Sequence, residues 1–294
     1  MKINWDALNS ILGMNRRNIE YVYQMNRRED FPLVDDKILT KKVLAEHGIS
    51  HVPLIAVFES FLDLDRLPEV LNSLHSFAMK PAQGYGGGGI IVVDHRDGAD
   101  FITVTGKRVS LEKLIERATE ILYGVYSIDS SMGDRVIIEE KIGRNEFMEH
   151  LSGPGVPDIR VIMCRQQLAM AMLRLPTEQS DGKANLHQGG VGVGIDLKTG
   201  LTTHTVSRKG PVLNHPDTGT NLIGVEIPQW KLLVELSIKV SQIFPLGYMG
   251  LDWVLDIGHI PRLLELNARP GLEIQNANRQ GLRSILEGTV GQHA

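Results

Sequence analysis

Leu251-Asp252-Trp253-Val254-Leu255-Asp256 runs into Ile257-Gly258-His259-Ile260 and then into Pro261-Arg262-Leu263-Leu264-Glu265-Leu266-Asn267. Two apolar runs too short for helices flank a glycine-containing turn, which is the pattern of an antiparallel hairpin. If Gly258-His259 is a two-residue loop with glycine first, pairing partners sum to a constant and Asp252 stands opposite Glu265. Like charges directly opposed destabilise a sheet, so the register invites a cation between them. Asn267, two residues past Glu265, projects from the same face. Oxygens of Asp, Glu and Asn without His or Cys make a hard-ion site, suited to magnesium or manganese shared with phosphates. A solvated sheet face of alternating charge explains this stretch alone equally well.

Short apolar runs at 77–80, 90–93, 136–138, 159–164 and 168–175 read as further strands. Helices read at 35–47, opened by capping carboxylates and stopped by Gly48, at 110–124 behind Ser110, and from Pro228 through Leu232, Leu233, Leu236, Val240 and Ile243. Helices mixed with strands in several hairpins predict an α+β fold with antiparallel sheets, not a doubly wound parallel one. Residues 152–157 and 177–182 read as loops or lids.

The 294 residues carry 31 Lys plus Arg against 35 Asp plus Glu, a net charge of −4, with 42% hydrophobic residues. That leaves room for a sizeable core and gives no polyelectrolyte signature, so no nucleic acid and no membrane is expected as a partner. No window reaches the ~18 apolar residues of a membrane span. The opening MKINWDALNS lacks the layout of a signal peptide, so a cytoplasmic location is expected. The single cysteine, Cys164, lies in an apolar run and reads as a buried inert thiol. Glycines cluster at 84–89 and 189–194, where backbone is available for ligand contact.

Phe77-Ala78-Met79-Lys80-Pro81-Ala82-Gln83-Gly84-Tyr85-Gly86-Gly87-Gly88-Gly89-Ile90 is a strand ending in lysine, a glycine loop and a second strand. Backbone N–H groups of such a loop close around phosphate oxygens and the lysine adds a point charge. It is not a Walker A loop, since no Gly-Lys-Ser/Thr follows. A flexible hairpin explains the glycines as well. Asp158-Ile159-Arg160 and Leu173-Arg174-Leu175 lie on runs that turn around Gln166, a register that brings Arg160 near Arg174. Two adjacent guanidinium groups call for an anion between them, although singly each arginine reads as a surface charge.

Taken in order, Asp36-Lys37, 77–89, Val136-Ile137-Ile138-Glu139-Glu140-Lys141-Ile142, Asp158-Ile159-Arg160, Asn185-Leu186-His187-Gln188-Gly189-Gly190 and Glu265-Leu266-Asn267-Ala268-Arg269-Pro270-Gly271 resemble the ATP-grasp superfamily. The resemblance is nearest to RimK-type alpha-L-glutamate ligases and covers residues 35–273. It implies two α+β subdomains with antiparallel sheets clasping ATP between them: an N-terminal helical segment at 1–34, then an ATP-grasp domain at 35–290 divided near 140. It implies that Lys37 and Lys80 bind ATP phosphates under a loop containing Gly84, Gly86, Gly87 and Gly88. Glu139, Glu140, Lys141 and Ile142 would form the adenine hinge, with Glu146 toward the ribose. Asp252, Glu265 and Asn267 would hold magnesium or manganese, two ions, and Arg160, Arg174 and Arg269 would neutralise the transferred phosphoryl group. For Arg269 a loop salt bridge is the alternative. Asn185, His187 and Gly189 would touch substrate.

The implied function is an ADP-forming carboxylate–amine ligase that activates an acid as an acyl-phosphate and joins it to an amino acid, with glutamate one candidate. The acceptor would be a small-molecule acid or a peptide. A kinase on the same fold and a non-catalytic nucleotide-binding protein remain alternatives. Two departures from the resemblance stand out: only residues 1–34 precede the Lys37 helix, where relatives carry a separate α/β domain, and Gln188 stands where the ribosomal-protein-modifying relatives carry Arg. Met14-Asn15-Arg16-Arg17 recurs as Met25-Asn26-Arg27-Arg28. On a continuous helix the four arginines share one face, for an acidic acceptor, for a partner subunit in a homo-oligomer, or as a solvated end.

Overall fold

The computed structural model describes residues 9–84, 86–127, 133–143 and 145–291. Tyr85 of the predicted loop and the first eight residues of the predicted N-terminal segment lie outside the described residues.

Asp36 sets the start of the helix Lys37–Glu46, its Oδ1 accepting from the backbone N–H of Ile38 at 2.9 Å and Leu39 at 3.3 Å. This satisfies two of the donors that a helix start leaves orphaned. Ser110 caps Leu111–Leu122 by accepting from Lys113 N at 3.3 Å. The third predicted helix runs Trp230–Ile243.

The strands form two six-stranded sheets in which every pairing is antiparallel. The first holds β1 (Leu54–Phe58), β2 (Phe77–Pro81), β3 (Ile91–Asp97), β4 (Asp100–Thr103), β5 (Arg108–Val109) and β6 (Val136–Glu139), ordered β1-β6-β2-β3-β4-β5. The second holds β7 (Asp158–Cys164), β8 (Gln167–Leu175), β9 (Val191–Ile195), β10 (Thr202–Val206), β11 (Tyr248–Leu255) and β12 (Pro261–Asn267), ordered β10-β9-β8-β7-β11-β12.

The period-2 alternation sorts side chains between faces. In the first sheet Phe77, Met79, Val136 and Ile138 join a core with Leu114, Ala118 and Ile121 of the Leu111–Leu122 helix. Lys80, Ile137 and Glu139 therefore stand on the opposite face. In the second sheet Ile159, Val161, Leu251 and Trp253 share a core with Leu233 and Val240. Each fully buried large apolar side chain stabilises by about 1.5–3 kcal/mol. Leu12, Tyr21, Phe31, Val34 and Leu44 also belong to this second core, so the N-terminal segment and the Lys37–Glu46 helix pack with the second sheet. Leu263 N donates to Ser50 O at 2.9 Å, which fastens the end of that helix beside β12.

Two local expectations change. Met14–Arg16, the π-helical Arg17–Val22 and Tyr23–Met25 run end to end, but Asn26 is extended. Its amide donates to Tyr248 O at 2.7 Å and its Oδ1 accepts from Tyr248 N at 3.0 Å. Arg27 and Arg28 thus lie beyond the helix, and the four arginines do not share a face. Arg17 is buried and donates to Pro270 O at 2.8 Å.

The β11–β12 turn is longer than the two-residue loop expected. Ile257–His259 forms a 3-10 turn with Gly258 and His259 at positive φ, and the tip pairs Leu255 with Pro261. That register is offset by one from the expected one. A bulge after Asp252 restores it, so Asp252 does face Glu265.

Candidate active site

Four adjacent strands present one polar face. Asp252 on β11 pairs with Arg160 on β7 and with Glu265 on β12, while Asp158 on β7 pairs with Arg174 on β8. The β7–β8 turn carries Arg165 and Gln166 at φ 47° and 64°, a two-residue turn of the type that matches strand twist, and a bulge between Ile162 and Met163 shifts its register by one so that Asp158 stands opposite Arg174.

Arg160 grips Asp252 bidentately, Nε to Oδ1 at 2.7 Å and Nη2 to Oδ2 at 2.6 Å. Arg174 grips Asp158 at 2.5 and 2.7 Å and also donates to Asp252 Oδ2 at 2.8 Å. Asn267 Nδ2 donates to the same oxygen at 3.2 Å. The anion between the two guanidinium groups is thus Asp252 itself. Burial alone raises a carboxyl group; for Asp252 the two guanidinium groups outweigh it and hold the group below the usual carboxylate range. For Asp158 burial wins, with Asp252 adding to it, and the group sits above that range.

Among the described residues Glu265 has one ion-pair partner, Lys37, with Nζ at 3.6 Å. Lys37 Nζ also donates to Gly84 O at 3.1 Å, so it joins the start of the glycine loop to β12. Lys80 Nζ lies 2.6 Å from Glu139 Oε2, and Lys41 Nζ 3.0 Å from Glu139 Oε1. All three side chains are buried, and burial pushes the Lys41 ammonium down to about 8. Lys37 and Lys41 are one helical turn apart and so share a helix face.

In the loop, Gly86, Gly87 and Gly89 have positive φ, whereas Gly88 does not. A Cβ on Gly89 would sit 2.7 Å from the Tyr126 ring, and one on Gly86 would meet nothing. Gly89→Ala is therefore expected to cost about 1–3 kcal/mol more than Gly86→Ala, read as the difference in melting temperature between the two variants. Gly86 O accepts from Asn185 Nδ2 and Gln188 Nε2, each at 3.4 Å, so the loop touches the 3-10 turn Leu186–Gln188. Asn185 also caps that turn at His187 N. His187 Nε2 lies 2.7 Å from Glu273 Oε1. Gly189, at φ 111°, packs where a Cβ would strike Gln179.

After Glu139 the chain crosses to the second sheet. Glu140 N donates to Pro53 O, Lys141 pairs with Asp94 at 3.1 Å, and Gly143 N donates to Asp256 Oδ1 at 2.8 Å. Ile142 is half-buried, and Glu146 is exposed at the start of Glu146–Ser152. The Glu139 side chain is turned to the two lysines and in this arrangement is not free for the predicted adenine contact.

Arg269 stands apart from Arg160 and Arg174. It pairs with Asp35 at 3.3 Å and lies 4.4 Å over the Phe31 ring, the loop salt bridge weighed as its alternative. Cys164 is buried, and burial raises its thiol to about 11, away from nucleophilic use. Three residues at the site escaped the sequence reading. Lys41 and Asp158 each had a periodicity signal, four residues from Lys37 and two from Arg160; Glu273 had none.

Residues 16–290 match the family described as sugar-transfer associated ATP-grasp. The chain belongs to that ATP-grasp family. Its fold is the ATP-grasp fold, two antiparallel sheets with mixed helices and strands. Among solved structures, the ATP-grasp ligase PsnB complexed with a minimal precursor is 13% identical over 91% of this chain and 64% of that chain, with a TM-score of 0.49. D-alanine–D-alanine ligase from Bacillus anthracis complexed with ATP is 14% identical over 88% and 65%, at 0.47. D-cycloserine synthetase DcsG is 12% identical over 89% and 71%, also at 0.47. The ATP-grasp chain spans less than two thirds of the first two of these chains. No curated protein matches it. No helix among the described residues is long and apolar enough to cross a membrane.

A divalent cation is the group this fold implies. Among the described residues no three His, Cys, Asp or Glu side chains are grouped to hold one. Two carboxylates and an amide, Asp252, Glu265 and Asn267, nevertheless share one sheet face and fit a hard ion in donor type. Glu265 is the carboxylate with coordination capacity to spare, because Asp252 already accepts from two arginines and Asn267.

Proposed function

We propose that the ATP-grasp chain is an ADP-forming carboxylate–amine ligase. The observation that carries this is the polar face of β8-β7-β11-β12: two arginines, three carboxylates and an amide, joined through Lys37 to the glycine loop. Such an array suits a reaction in which charge moves between phosphoryl oxygens and no protein nucleophile is needed.

In this reading Lys37, Lys80 and the loop of Gly84, Gly86, Gly87 and Gly88 hold the ATP phosphates. The backbone of Glu139, Glu140, Lys141 and Ile142 faces the adenine, with Glu146 toward the ribose. Asp252, Glu265 and Asn267 would hold magnesium, which when bound neutralises triphosphate charge. Arg160 and Arg174 move from Asp252 toward the transferred phosphoryl group, and Asn185, His187 and Gly189 border the substrate. A substrate carboxylate attacks the γ-phosphate and ADP leaves. An amine then displaces phosphate from the acyl-phosphate to give an amide.

The test is ADP release with Mg-ATP against acids and amines, alone and in pairs. The panel includes glutamate, in keeping with the RimK-like motifs, dipeptides, and, given the family's description, uronic acids and amino sugars. Release that needs both an acid and an amine is expected. Release with an alcohol and no amine would make the chain a kinase, and ATP binding without release against any pair would make it a non-catalytic binder.

A further inference from the structure

We propose that Glu273 is the binding group for the amine substrate and the acceptor of its proton, an inference that rests on the ligase reading. A Cβ built on Gly271 would lie 2.6 Å from Glu273 Oε2 and 3.8 Å from Arg160 Nη1, so both atoms border the same point. Arg160 uses its Nε and Nη2 on Asp252, which leaves Nη1 turned toward Gly271. The guanidinium assigned to the acyl-phosphate and the Glu273 carboxylate thus face one another across a residue without a side chain.

Glu273 has one ion-pair partner among the described residues, His187, on Oε1. Its Oε2 has no hydrogen-bond donor among them. The side chain is 29% exposed and His187 76% exposed, so the pair opens to solvent on the His187 side. His187 belongs to the turn whose Asn185 and Gln188 hold Gly86, which puts Glu273 between the glycine loop and the Arg160–Asp252 pair. A carboxylate with an unused oxygen, backed by a solvent-facing imidazole, suits a primary ammonium group.

The step balances as follows in atoms. The ammonium gives one proton to Glu273 Oε2, and the neutral nitrogen forms its bond to the acyl carbon as the carbon–oxygen bond to phosphate breaks. The second nitrogen proton leaves with phosphate, and Glu273 returns its proton to water through His187.

The full chain is assayed with Mg-ATP and the acid panel in two arms, hydroxylamine in one and charged primary amines in the other, with hydroxamate and amide measured. Hydroxylamine is neutral near pH 7 and needs no carboxylate to hold it or take its proton. In Glu273→Gln the ratio of amide to hydroxamate is expected to fall by about tenfold or more. Glu273→Asp recovers part of the ratio, and His187→Gln, which keeps the carboxylate, lowers it less. An unchanged ratio in a folded Glu273→Gln variant overturns the amine site and leaves the ligase standing. A wild-type chain that forms neither product overturns the ligase reading and this proposal with it.

Discussion

Asp252→Asn is expected to abolish ATP turnover and to lower the melting temperature by on the order of 10 °C, whereas Glu265→Ala abolishes turnover with little change in stability. The two residues face each other across one ladder, yet their surroundings differ. Asp252 is 2% exposed and accepts from Arg160, Arg174 and Asn267. Removing its charge strands the buried Arg160 guanidinium, while Arg174 keeps its pair with Asp158, a loss of about 3–5 kcal/mol. Glu265 is half-buried with one long contact to Lys37, worth about 1 kcal/mol or less. An equal stability loss in both variants would refute this account. The acid limb follows in sign: Asp252 is held below the usual carboxylate range, so its stabilisation is present above that range and lost as pH falls beneath it. Asp158 runs the other way, its ionisation being disfavoured. Between its raised range and the ordinary carboxylate range the folded chain binds more protons at Asp158 than the unfolded chain, so the stability of wild type relative to Asp158→Asn should rise as pH is lowered from neutral, read in thermal melts across pH.

Glu139→Gln is the second large effect. It leaves Lys41 and Lys80 buried around a neutral amide, an expected loss of about 3–5 kcal/mol. Lys41→Met alone should be close to neutral, because Lys80 keeps Glu139 paired and burial already holds the Lys41 ammonium down at about 8. Placed in the Glu139→Gln background, Lys41→Met should recover part of the loss, since one stranded cation is removed; denaturant melts of the four proteins give the coupling. Between pH 8 and the unfolded-state lysine range near ~10.4 the unfolded chain binds more protons at this site, so the stability of wild type relative to Lys41→Met should rise with pH there. Additive losses, or a difference that falls with pH, would show that the three groups do not act as a unit.

The α+β class, the capped helices after Asp36 and Ser110, and the facing of Asp252 and Glu265 were legible because each rests on local rules: a capping side chain, an alternating strand, a turn that fixes a register. Even there the route differed, the β11–β12 turn being longer and a bulge restoring the pairing. Arg269 and the two arginine pairs were less legible. Their partners, Asp35 and Phe31 for Arg269 and the Pro270 carbonyl for Arg17, lie more than 230 residues away in sequence.

The sequence by itself determined which side chains share a strand face or a helix face, since a period of 2 or 3.6 is a property of neighbouring residues. Only the tertiary structure decided what stands across each face. Whether Arg160 meets a phosphate or Asp252, whether Glu139 meets adenine or two lysines, and whether Glu273 and Arg160 border the same glycine depend on chain segments brought together from a distance. Charge pairing inside a protein is set by whichever opposite group burial leaves within reach, and that is not a local property.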